Sequence, residues 1–534
     1  MTYPTLPMIA ALVRAGAVDR AAELFAAAGH DRASGNPAAL ALKGRIAKAQ
    51  ARLASADAQP ARFAEAAAAY RAAHDLDPAP YLAINAATLS LLAGDPAAAT
   101  SGARAVLALL DGPEPPADTP YFLAATRAEA LLLLGDRAGA EAALTEAANH
   151  DPDGWDDRAV TLAQLREILG AQGEDCAWLD RFAPPASLHF AGHMGIHAGG
   201  SSEAVLTEAL DHWLGSQRIG FAWGALAAGA DVVIAERLQA LGCAVHLVLP
   251  CPPEQFAAQS VAPAGREWAA RFEAVMARAA SLRCAGSLAG SVHDPLATAF
   301  AGELAIGGAV LNAARLGSAA LQLIVLDETG GGPNTARQAE LWQGPDGSRQ
   351  ILTVPRDAAV EALFPPEAPD LARHLLFHAA IAFPGDGASL NSAELGERAA
   401  LVGMALATLP QGSVRAGPQG WDVATPDVSA GLSATLAVID MCRAAGTEPP
   451  AAGVDLALGL LVPDLASGSL VAHGPGTALA QRLLAQAPPG LVLASDPLSV
   501  TLAARPAGAL RTEPWLPDEP ELGGAVHAVF AKGQ

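Results

Sequence analysis

Positive charge is scarce in this 534-residue sequence: Lys and Arg number 33 against 55 Asp and Glu, a net charge of −22 at pH 7. So acidic a surface repels a polyanion at long range and offers no basic stripe to release counterions from DNA or RNA, which argues against a nucleic-acid partner. Cysteine is sparser still. Cys176, Cys243, Cys251, Cys284 and Cys442 are an odd number with no C-x-x-C pair, which argues against a zinc ribbon or a disulfide framework and fits a reducing compartment. Long hydrophobic runs are missing as well: alanine-rich stretches raise the hydropathy, but none reaches the roughly 18 uninterrupted apolar residues that a bilayer demands. At the N-terminus Arg14 and Asp19 interrupt the apolar patch and no basic segment precedes it, which is not the pattern of a signal peptide. The expectation is a cytoplasmic protein without membrane insertion.

What is present is apolar material for several cores. Hydrophobic residues make up 51% and charged residues 16%, and at about 100–200 residues per domain the length predicts three domains. Composition shifts at Pro184-Pro185 and Pro365-Pro366 place them at residues 1–183, 184–364 and 365–534.

In the first domain apolar residues recur at helical spacing from Met8 to about Leu179, and alanine supplies helix propensity. Phe63, Ala67 and Tyr70 share one face of a helix that Asp77-Pro78 stops. Gly94-Asp95 and Gly135-Asp136 each stand between two helices, the glycine suited to a left-handed C-cap and the aspartate to the next N-cap. About four helical hairpins are predicted, irregularly spaced because GPEPPADTP stretches one interval. The small-residue positions and the D-x-D-P and N-H-D-P endings resemble tetratricopeptide repeats. That resemblance implies an all-α solenoid with a groove lined by the first helix of each hairpin, docking a protein partner. The alternative is a scaffold that only packs on its neighbours.

Beyond Pro185 short β-type runs alternate with helices: SLHFAG, IGFAWG, AVHLVLP and LQLIVLDE are near-continuous apolar strands. They predict a parallel α/β sheet covered on both faces, with a ligand site beyond the carboxyl ends of its strands. The loops there supply the candidate ligand contacts His193, Gly224, Gly229, Asp231, Gly331, Gly332 and Thr335, with Glu236 further into the following helix. Small residues let backbone amides approach a phosphate, and a helix starting near Ala230 turns its positive end toward it. Asp231 either caps that helix or contacts the ligand. His193 and His197 have i,i+4 spacing but no third ligand in view, so no metal site is assigned.

GALAAGADVVIAERLQALGCAVHLVLP and GGPNTARQ resemble the SLOG superfamily, a Rossmann-like group that includes the lonely-guy phosphoribohydrolases and sensors of nucleotide-derived ligands. The resemblance implies a Rossmann-like domain whose ligand is nucleotide-derived, with no other cofactor. Its G-G-x-G-T-x-x-E motif falls on Gly331, Gly332, Thr335 and Gln338, with Asn334 in place of a glycine and Gln338 in place of the glutamate. Without that carboxylate, glycosidic cleavage has no obvious general acid or base, so binding outranks hydrolysis.

From HLLFHAAIAF onward the order strand, helix, hairpin, helix, strand predicts an α+β ferredoxin-like sheet with its helices on one face. AQRLLAQAPPGLVLAS and LLFHAAIAF resemble class III adenylate/guanylate cyclases, over about residues 370–516. Carried over position by position, the two metal-binding aspartates of that family fall on Ala379 and Gln419, its asparagine on Ala478 and its arginine on Arg482. Cyclisation needs two carboxylates to hold its metal ions, so the resemblance implies a degenerate, metal-free domain with no catalytic residue. By analogy it serves homodimerisation. His378, Asp422 and Asp427 are nearby polar alternatives, and Arg482 is either an anion contact or a surface arginine near a helix C-terminus.

The combined expectation is a non-catalytic, bacterial-type signalling or scaffold protein. Two rivals remain: an N-glycosidic hydrolase using Asp231 or Glu236 in the Rossmann cleft, and a purely structural assembly protein.

Overall fold

The computed structural model describes residues 5–14, 16–112, 117–286, 294–330, 332–364, 373–384, 392–407, 409, 413–417, 420–464, 470–505 and 510–531. The chain forms two compact units, residues 1–184 with 315–317, and residues 185–314 with 318–534.

Among its described residues the first unit is built of helices and the turns between them. Four hairpins pair α1 (Leu6–Arg14) with α2 (Val18–Ala27), α3 (Pro37–Leu53) with α4 (Gln59–Leu76), α5 (Pro80–Leu92) with α6 (Pro96–Leu110), and α7 (Pro120–Leu133) with α8 (Arg137–His150); α9 (Trp155–Gln172) follows. Local chemistry sets the boundaries. Gly94 and Gly135 take φ of +83° and +79°, while Asp95 and Asp136 accept the amides of Ala98 and Gly139 at 2.9 Å, as their order in the sequence predicts. Small residues bring the helices close: a Cβ on Gly44 would stand 2.7 Å from the Tyr70 ring, and one on Gly102 2.9 Å from the Ala87 Cβ.

The face expected to form an open groove is occupied by α9. Leu162, Leu165, Ile168 and Leu169 pack with Ile84 and Ala87 of α5 and Ala128 and Leu132 of α7, and Glu167 reaches α3 through Arg52 at 2.7 and 2.9 Å. A polar seam completes the closure, with Thr88 and Gln164 donating to the buried Glu129 (2.5 and 2.7 Å) and Lys48 to Asn85 (3.1 Å). The expectation of a groove lined by α3, α5 and α7 is thereby corrected, because the apolar face of α9 is better buried there than left in water.

The second unit contains two sheets. β1 (Ala186–Gly192), β2 (Ile219–Gly224), β3 (Ala244–Leu249), β4 (Ser281–Cys284), β5 (Ala320–Leu326) and β6 (Arg349–Thr353) form a wholly parallel sheet in the order β4-β3-β2-β1-β5-β6. The strand order reverses between β1 and β5. Leu188 and Phe190 share a core with α10 (Ser201–Leu214), α11 (Ala230–Ala240) and α13 (Arg266–Met276), which follows α12 (Pro253–Ser260). The intervening Ser187 and His189 face the other side, where they meet Asn312 of α14 (Pro295–Leu316) and Gln338 of α15 (Pro333–Leu341). A short α16 (Ala358–Glu361) ends this half.

The remaining elements are β7 (Arg373–Ala382), α17 (Ser392–Leu406), β8 (Ser413–Gly417), β9 (Gly420–Thr425), α18 (Val428–Ala444), β10 (Ala451–Pro463), β11 (Leu470–His473), α19 (Gly476–Gln486), β12 (Val492–Ala494), α20 (Asp496–Ala504), β13 (Leu510–Glu519) and β14 (Gly524–Ala531). Their eight-stranded sheet runs β13-β14-β12-β10-β7-β9-β8, with β11 beside β10. Its β10-β7-β9-β8 portion has the ferredoxin-like order, with α17 and α18 contributing to one core against Phe377, Ala379 and Ile381. One expectation changes: helices do not all lie on one face. Gly431 of α18 abuts Phe377 whereas Gly476 of α19 abuts His378, and neighbours along a strand point to opposite faces.

α14 belongs to both halves of this unit. Ala297, Phe300 and Leu304 share a core with Phe377, Leu432 and Leu456 of the second sheet, while a Cβ on Gly308 would lie 2.7 Å from Trp223 of the first. Its 22 residues carry an 18-residue window of mean hydropathy 1.4, long and apolar enough for a membrane span, yet 67% of that window is buried inside the protein. Packing between two sheets accounts for the hydropathy, since such a helix has few sides left for water.

Candidate functional site

A cleft of about 350 Å³ opens at the carboxyl ends of β1, β2, β3 and β5, where the strand order reverses and successive connections leave for opposite faces. His193 follows β1, Asp231 lies in the first turn of α11, Gly332 and Thr335 open α15, and all four line it. Arg356, from the loop after β6, lines it too. The Arg356 guanidinium pairs with Asp327 at 2.8 Å, and both side chains are largely buried.

Asp231 sits deep in this wall. Its Oδ1 accepts the amide of Gly192 at 2.9 Å and its Oδ2 that of Ala227 at 3.3 Å, so the carboxyl ties the β1 loop to the β2 loop. It does not cap α11, whose N-cap residue is Gly229 with φ of +99°. Burial outweighs the two amides and pushes its carboxyl up to about 7. His193 donates from Nε2 to the carbonyl of Val354 at 3.1 Å, and Thr335 donates its hydroxyl to the carbonyl of Gly192 at 3.3 Å.

Gly224, Gly229 and Glu236 do not line the cleft. Gly224 is small for packing, because a Cβ would come within 2.6 Å of the Phe190 ring. Gly229 makes the turn that lets its loop cross beneath the His193 and Met194 carbonyls, 3.0 Å from where its Cβ would be. Glu236 lies outside the cleft and pairs with Arg271, which also holds Glu203. Gly331 falls outside the described residues. Gln338 lines the cleft, but its Oε1 accepts from His189 Nε2 at 2.9 Å and its carbonyl accepts from Gln322 at 2.9 Å. Complete burial lowers the His189 pKa to about 4 and keeps the ring neutral. Arg356, 163 residues from His193 in sequence, was the contact that sequence reading missed; no local pattern marked it.

Residues 8–90 match the family model Tetratricopeptide Repeats-Sensor. That span covers the first two hairpins from within α1 through most of α5. No curated protein matches the chain. Among solved structures, the guanylate cyclase domain of RhGC from Catenaria anguillulae in complex with GTP is similar at 14% identity and a TM-score of 0.25, over 30% of this chain and 98% of that one. The adenylate/guanylate cyclase/hydrolase from Silicibacter pomeroyi is similar at 18% identity and a TM-score of 0.24, over 29% and 95%.

The cyclase-type positions do not converge. Ala379 is buried on the α18 side of β7, whereas Ala478 and Arg482 stand exposed on α19 across the sheet. The residue of β7 facing the α19 side beside His378 is Ala380, paired across the ladder with Asp422. Asp422 accepts from Gln481 of α19 at 3.2 Å, Asp427 caps α18 through the amide of Ala430, and Gln419 lies outside the described residues. Among the described residues no three His, Cys, Asp or Glu side chains gather in a metal-binding group.

Proposed function

We propose that this chain is a non-catalytic signalling or scaffold protein that senses a nucleotide-derived ligand in the cleft between β1 and β5. The observation that carries this reading is the cleft itself: a largely buried arginine, Arg356, and the N-terminus of α15 line it together at the strand-order reversal, where guanidinium and helix dipole both favour a phosphate. The SLOG-like pattern supports the same ligand class. Gln338, turned to His189, supplies no carboxylate for cleavage. Calorimetry of the full chain against a panel of nucleoside mono- and diphosphates tests the reading. A Cβ on Gly332 would meet nothing within 4 Å, so Gly332→Val should weaken binding by about tenfold or more without loss of fold. If no nucleotide binds, or the variant binds equally well, the assignment fails.

The helical unit supports protein docking, with α9 in its groove. Tyr81, Phe122 and Val160, near the N-terminal ends of α5, α7 and α9, are large exposed apolar side chains, a surface that a basic or amphipathic segment could cover. The cyclase-like sheet offers no paired carboxylates at Ala379 and Gln419, so its reading here is assembly through homodimerisation. The hydrolase reading retains one supporting observation: a carboxyl at about 7 in a cleft, Asp231, is poised for acid–base work. Release of base from nucleoside monophosphates, abolished by Asp231→Asn, would favour that reading over sensing.

A further inference from the structure

α14 separates the cleft from a second cavity of about 300 Å³. At about 100° per residue, Thr298, Ala301 and Ala305 turn to the cleft while Ala299, Phe300 and Glu303 turn to the opposite side. The second cavity gathers Arg337 from α15, Arg373 and His374 from the start of β7, and Arg505 from just beyond α20. Three guanidinium groups in one cavity are notable in a chain of net charge −22.

Among the described residues, Glu303 and Asp294 are the carboxylates that pair with them. Glu303, 3% exposed, accepts from Arg337 at 2.9 Å through Oε1 and from Arg505 at 3.0 and 3.1 Å through Oε2. Arg373 pairs with Asp294 at 3.0 Å. Among the described residues, Arg337 and Arg505 share the single carboxylate of Glu303. Each guanidinium has about five N–H donors, and the bonds to Glu303 engage one on Arg337 and two on Arg505. Glu303 thus orients both guanidinium planes while engaging three of their roughly ten N–H donors, an arrangement suited to the several oxygens of a phosphate. Among the described residues, Leu296, Phe300, Leu375 and Val428 add apolar wall.

We propose that this cavity is a binding site for a small phosphate monoester with an apolar or aromatic body, the phosphate held by Arg337, Arg373 and Arg505 and the body by Phe300 and Leu375. It goes beyond the cleft assignment and does not depend on what the cleft binds.

Calorimetry on the full chain, with phenyl phosphate and inorganic phosphate as probes, tests the site. Phenyl phosphate should saturate one site and bind about tenfold or more tighter than inorganic phosphate. Arg505→Gln should weaken it about tenfold, and Leu375→Trp, which fills the cavity while keeping every charge, should abolish it. Arg356→Gln, in the cleft, should leave it unchanged. The proposal is overturned if phenyl phosphate does not saturate, if Leu375→Trp binds like the wild type, or if Arg356→Gln is the substitution that removes binding. Should Arg505→Gln fail to fold, the Leu375→Trp and Arg356→Gln comparison still decides.

Discussion

Asp231 joins two loops through main-chain amides in surroundings dry enough to lift its carboxyl to about 7 from an ordinary 3.8. The unfolded chain therefore ionises first as pH rises. The stability this group contributes is full below about pH 4 and is lost as pH climbs toward 7. Compared by urea unfolding at about pH 4 and pH 8, the wild type should lose up to a few kcal/mol relative to Asp231→Asn, whose side chain does not ionise. Equal slopes would mean that Asp231 is better solvated than its burial implies. On the other sheet, Ala379 and Ala380 leave β7 without a carboxylate beside Asp422. Incubated with ATP or GTP and Mg²⁺ or Mn²⁺, the chain should form no cyclic nucleotide. Metal-dependent product that survives Asp422→Asn would place a cyclase site among residues given no role here.

At the scale of elements, hairpin order and caps were legible because they depend on neighbours a few residues apart: Gly94-Asp95 and Gly135-Asp136 do in the structure what their order predicts. Where α9 goes was not legible, since nothing within its 18 residues says which helices its apolar face will meet. Leu165 is 1% exposed in that contact. Leu165→Ala should cost about 2–5 kcal/mol, read as a lower midpoint of the helical unit's unfolding in the full chain. A cost below about 1 kcal/mol would mean that α9 is only loosely seated. α14 escaped sequence reading for a related reason: a helix buried on two sides has no polar face to mark its period.

At the scale of the second unit, the boundary expected at 364/365 runs between β6 and β7, inside one compact body. α14 gives Ala297, Phe300 and Leu304 to the core of the second sheet. Residues 185–364 produced alone would expose that face, and we expect them to aggregate or melt well below the 185–534 unit, as followed by light scattering and circular dichroism. A stable, monomeric 185–364 fragment would show that α14 needs only one sheet. Within the full chain, Phe300→Ala should cost about 3–5 kcal/mol and lower the melting of both sheets together.

Segment identity came from the chain alone: helical hairpins, then strands alternating with helices, then a strand–helix–hairpin–helix–strand order, with loops at strand ends marked by glycine. Those features follow from backbone preference and short-range periodicity, which any stretch of about ten residues carries within itself. Which side chains share a site did not. His193 and Arg356 line one cleft, and Gln338 turns to His189, only because the strand order reverses at β1. Glu236, for all its place beside the glycine-rich turn, points to Arg271. Pairings across 150 residues are set by the order in which strands add to a sheet, and that order is decided by burying both sheet faces at once, a condition on the whole unit that no local stretch expresses.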